Sequence, residues 1–145
     1  MPYPSTQPIT ITASATLNRN SHAGNVVNLS AAAGLTVTLP ASAGTGDIYE
    51  VFVLTTVTSN NYIIQVANST DILAGAVHLT TDIAGTSMLT STTSDTITMN
   101  GSTTGGLRGT WLRFKDMSTG FWALEGGILC TGTEATPFSR SEEHT

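Results

Sequence analysis

The chain is poor in charge, cysteine and lysine, and each scarcity excludes something. Only 10% of its 145 residues are charged, against roughly a quarter in an ordinary soluble domain. Of the cations, one is a lysine, Lys115, and four are arginines, and the net charge is −5. Nucleic-acid binders neutralise phosphates with clustered Lys and Arg. Here the one cluster is Arg108, Arg113 and Lys115, beside Asp116, so direct nucleic-acid binding is not expected. Cys130 is the single cysteine, which excludes an intramolecular disulfide and a thiolate-rich metal site. Its flanks, "GGILCTGT", supply no base or cation, and a small apolar residue on a strand is the expected reading. No apolar run reaches the ~18 residues that span a bilayer, so no membrane partner is expected. The start, "MPYPSTQP", lacks the basic and apolar stretches of a signal peptide. No segment sustains a capped 3.6-residue period.

What fills the chain instead is Thr, Ser, Ala and Gly. Hydroxyls make a surface polar without counter-ions and are cheap to bury once hydrogen-bonded. Thr is β-branched and suits a pleated surface. The length favours one domain. The expected fold is all-β: a compact antiparallel sandwich or barrel-like domain with an extended N-terminal arm and a C-terminal tail. Residues 1–17 are the arm and first strand, 18–132 the β domain, and 133–145 the tail.

The arm opens with three prolines in eight residues, which disfavour helix and central strand. In "ITITASATL", Ile9, Ile11, Ala13, Ala15 and Leu17 alternate, as in a strand with one buried face. "LTVTL" alternates likewise. Residues 48–54 form an apolar run broken only by Glu50, expected at the sheet centre with both faces covered. "TSNN" is turn chemistry, so residues 48–67 read as a hairpin. Weaker strands follow near 76–80, 86–90 and 96–99. "WLRFK" and "FWALE" flank "DMSTG" as a second hairpin, and residues 128–131 close the domain. About ten short strands at this spacing mark a sandwich or barrel. No internal repeat suggests a solenoid.

The run Ala41-Ser42-Ala43-Gly44-Thr45-Gly46-Asp47 poses a choice between a phosphate cradle and a turn. A P-loop needs Lys and Ser/Thr at the mouth of a helix. Here Asp47 stands in place of a cation, and "IYEVFVL" continues as a strand. A strand-to-strand connection is expected, with Gly46 relieving the backbone.

Catalytic patterns are equally sparse. His22, His78 and His144 have no ligand spacing. No nucleophile elbow is present. Glu50 and Glu125 are the only plausible carboxylate pair on strands, whereas Asp71, Asp82, Asp95 and Asp116 fall in expected loops, where Asp caps turns. No catalytic, cofactor-binding or metal-ligating residue is assigned, and the chain is read as a non-enzyme. Trp111, Phe114, Phe121 and Trp122 are core residues or anchors of an interface. Trp111 faces away from Leu112 and Phe114, so both faces of that strand carry apolar bulk.

The segments "AGLTVTLPASAGTGDIYEVFVLTTVTSNNYIIQVANSTDILAGAV" and "WLRFKDMSTGFWALEGGILCTGTEATPF" together resemble tailed-bacteriophage head decoration (cement) proteins. The resemblance spans roughly residues 24–78 and 106–138 and rests on turns and strands; residues 79–105 carry none of it. It implies a homotrimeric structural protein on the outer capsid surface, made in the host cytoplasm, with the major capsid protein as partner. It implies no catalytic residue. Candidate interface residues are Tyr3, Ile9, Ile11, Trp111, Trp122 and Phe138. The alternatives are a tail-fibre or receptor-binding β module that recognises host glycan through exposed aromatics, and a small hydrolase.

Overall fold

The computed structural model describes residues 7–140. In chain order they form β1 (Ile9–Ile11), β2 (Ala15–Thr16), α1 (Arg19–His22), β3 (Val26–Leu29), β4 (Leu35–Thr38), β5 (Ile48–Val53), β6 (Tyr62–Gln65), β7 (Ile72–Thr80), β8 (Gly85–Leu89), β9 (Thr96–Met99), β10 (Trp111–Ser118), β11 (Phe121–Leu129) and β12 (Phe138–Ser139). The protein is mostly β, in two sheets. One has seven strands in the order β1-β3-β5-β10-β11-β7-β8, the other five in the order β12-β9-β6-β4-β2.

The expected antiparallel arrangement is corrected: both sheets are mixed. Through the first six strands the chain visits the two sheets in turn. β1, β3 and β5 therefore lie parallel in the larger sheet, and β2, β4 and β6 lie parallel in the smaller. This is a solenoid-like winding without a sequence repeat. Apolar residues hold the register across it: Ile9 opposes Val27, which opposes Val51, and Ala15 opposes Val37, which opposes Ile64. The second half changes sense. The hairpin β10–β11 forms as its turn chemistry predicts and fits between β5 and β7, antiparallel to β5 and parallel to β7.

The winding overturns three further expectations. Residues 48–67 are not a hairpin, because β5 and β6 lie in different sheets. The turn itself is real, since Asn60 takes a left-handed conformation (φ 55°). Tyr62 fixes the crossing: its hydroxyl accepts from the Ala31 amide (2.9 Å) and donates to the Thr55 carbonyl (2.7 Å). Residues 9–17 are not one strand. They break at 12–14 to serve both sheets, and Leu17 is buried in the core. Residues 48–53 bury one face only; Ile48, Glu50 and Phe52 on the other are half-exposed. The C-terminal segment also packs as far as it is described, with β12 antiparallel to β9.

One buried cluster takes side chains from both sheets, among them Val27, Val51, Leu112, Phe114 and Trp122 from the larger and Val37, Tyr62, Ile64 and Met99 from the smaller. Alternation along each strand produces it, because every second side chain points to the same face.

Candidate functional site

The small-residue loop joins β4 in one sheet to β5 in the other and does cradle an anion. That anion is the protein's own. The Ala43 amide lies 3.0 Å from both Asp116 carboxylate oxygens, and the Gly44 amide 2.7 Å from one of them. The Thr45 hydroxyl donates at 2.9 Å. Main-chain bonds from Gly46 to Asp116 and from Asp116 to Asp47 extend the contact. Gly46 sits at φ 78°, a conformation that favours glycine. Nearby, the Ser42 amide donates to Asp71 (2.9 Å), and the Ser42 hydroxyl accepts from the Gly120 amide (2.8 Å). Asp116 is thus a buried strand residue, and its expected place in a loop is corrected. Burial pushes its carboxyl up, but the donors from Gly44, Ala43 and Thr45 outweigh burial and hold it below the usual carboxylate range. The Ala43 and Gly44 amides are committed to this carboxylate, so the run acts as a latch between elements.

The outward face of the larger sheet carries a different group. Trp111 is 49% exposed. Its indole N–H donates to Glu50 at 3.0 Å, and its ring meets Phe52 edge-to-face, with centroids 5.5 Å apart. Strand register sets Arg113 between Glu50 and Glu125, with closest N–O distances of 4.0 and 3.8 Å. Glu50, Trp111, Arg113, Glu125 and Gly126 line an open cavity of about 300 Å³. Of the three clustered cations, Arg113 lies among carboxylates and shares the outward face of β10 with Lys115, while Arg108 donates to the Leu54 carbonyl at 2.6 Å.

A third feature is apolar. A cavity of about 720 Å³, lined by Thr80, Ile83, Leu107, Leu129 and Cys130 among others, opens at the ends of β7 and β11. Ile83 and Leu89, at the turn and on the edge strand β8, are 91% and 76% exposed. Cys130 is buried, and burial, with Glu134 adding to it, pushes its thiol up to about 11.

The structure does not gather the candidate interface residues into one patch. Tyr3 lies outside the described residues. Ile9 and Ile11 lie half-buried on β1, an edge of the larger sheet. Phe138 is half-buried on β12, the edge of the smaller sheet remote from β2. Trp111 is at the surface. Trp122 is corrected: it is fully buried and packs edge-to-face on Tyr49 at 5.6 Å, because alternation along β11 turns it inward. Among the described residues its indole nitrogen has no hydrogen-bond partner.

Two residues were missed. The Ser30 amide donates to the Ile11 carbonyl, and the Leu17 amide to the Thr38 carbonyl. Peptide groups alternate sides along a strand. Ile11 and Leu17 therefore face their neighbours, and Thr10 and Thr16 point their N–H and C=O groups away, at edges of β1 and β2 that no strand covers among the described residues. Only the pairing identifies them. Among the described residues no three His, Cys, Asp or Glu side chains group as a metal site.

The chain was compared with protein-family models, curated proteins and solved structures, and none of the three gave a significant match.

Proposed function

We propose that the protein is a structural virion component that binds the outer surface of a phage capsid and stabilises contacts between capsomers. In this reading the two sheets form a sandwich, three copies associate, and the major capsid protein is the partner. The observation that carries the reading is the pair of open edges, β1 and β2. Among the described residues, consecutive segments of one chain end each sheet with a short strand paired on one side only. An open edge is a template for strand addition, which binds through the main chain and needs few charges. That suits a chain with so little charge. A clamp of this kind resists rupture through buried area repeated over many copies.

The test is quantitative mass spectrometry of purified virions that encode the chain. The expected result is a copy number that scales with the major capsid protein. A few copies per particle, fractionating with the tail, would overturn the proposal.

A further inference from the structure

We propose that Trp111, Arg113, Glu50 and Glu125 form a binding site for a neutral saccharide on the outward face of the larger sheet. The inference goes beyond shell binding and does not depend on it, since the open edges of β1 and β2 are separate from this site.

The indole is half-exposed yet held at two points, by its N–H on Glu50 and by the ring of Phe52. A ring fixed this way loses little entropy when a ligand covers it. Across the strand pair, Trp111 faces Gly127. No atom lies within 4 Å of the point a Cβ would occupy at Gly127, so the space beside the indole is open. A pyranose ring presents an apolar C–H face that matches an aromatic plane, with hydroxyls around its rim. Those hydroxyls need donors and acceptors together. Arg113 supplies donors, because at 4.0 and 3.8 Å its contacts to Glu50 and Glu125 are longer than hydrogen bonds. Glu125, whose side chain is 72% exposed, supplies acceptors. Strand register fixes all of them, and the cavity of about 300 Å³ is at the small end of ligand sites. Arg113 and Lys115, on one face of β10, offset Glu50 and Glu125, so the surface carries little net charge and suits a neutral sugar.

The probes are tetrasaccharides of glucose, galactose, mannose and N-acetylglucosamine, titrated against the full chain and followed by tryptophan fluorescence and saturation-transfer NMR. At least one should bind saturably. Trp111→Ala should weaken it about tenfold or more, as loss of a central aromatic anchor does. Gly127→Val, which fills the space beside the indole while keeping Trp111, should weaken it comparably with an unchanged melting temperature. If none of the four binds up to about 10 mM, or if binding survives both substitutions, the proposal is wrong. Shell binding unaffected by Trp111→Ala would leave the structural role standing whatever the saccharide result.

Discussion

At the scale of single residues, Asp116 and the two tryptophans separate structure from surface. Asp116 holds the β4–β5 loop through the Ala43 and Gly44 amides and the Thr45 hydroxyl. Asp116→Asn turns part of that acceptor into a donor facing donors, and the expected cost is about 2–3 kcal/mol in urea unfolding. The pH dependence has a definite sign. The folded carboxyl titrates below its ordinary value of 3.8, so the unfolded chain binds the proton more readily. The stabilisation is full above that value and is lost as pH falls through the lower, folded one. Urea midpoints measured through this acid range should fall less steeply for Asp116→Asn; equal slopes would contradict the latch. Trp122→Ala removes a fully buried indole and should cost about 3–5 kcal/mol. Trp111→Ala should stay within about 1 kcal/mol, as surface changes do. A comparable loss at both positions in thermal melts would refute this division. Alternation already separated Trp111 from Leu112 and Phe114, and the same rule applied to β11 would have turned Trp122 inward. The latch was beyond reach, because Asp116 lies far along the chain from the loop it closes.

At the scale of elements, the sequence was most legible where pairing is local. The β10–β11 hairpin formed where "DMSTG" placed it. The turn at residues 58–61 was also read correctly, but its consequence was not. A turn fixes a change of direction without fixing the partner, and β6 leaves that turn for the other sheet. Non-local parallel pairing carries no turn signal, so the winding of the first six strands was invisible. The same winding explains why residues 9–17 alternate yet split: each part buries alternate side chains against a different sheet. It also sets the effect of truncation. Removing residues 1–17 strips a strand from each sheet together with buried Leu17, so it should destabilise the domain as well as abolish docking. A finer probe is Thr10→Pro with Thr16→Pro. Both remove outward N–H groups and spare the inward ladder, and proline is tolerated at such edges. The double variant should melt within a few degrees of the parent, about the shift of a ~1 kcal/mol change, and lose strand addition to its partner. Unchanged binding to purified shells would sink the edge hypothesis.

At the scale of the whole molecule, the central claim is a clamp repeated over a shell. Leu89 and Ile83 at one end of the larger sheet and Phe121 on its outward face are exposed, which leaves apolar surface for contacts among copies. The isolated protein should therefore sediment as a trimer, and a stable monomer at high concentration would contradict that part of the account. The most direct measurement is cryo-electron microscopy of virions that encode the chain. The account predicts three-lobed density on the outer capsid surface at local threefold positions, with β1 and β2 turned toward the major capsid protein. Density for the chain confined to the tail, or a shell contact made by the Trp111 face with the two edges free, would contradict it.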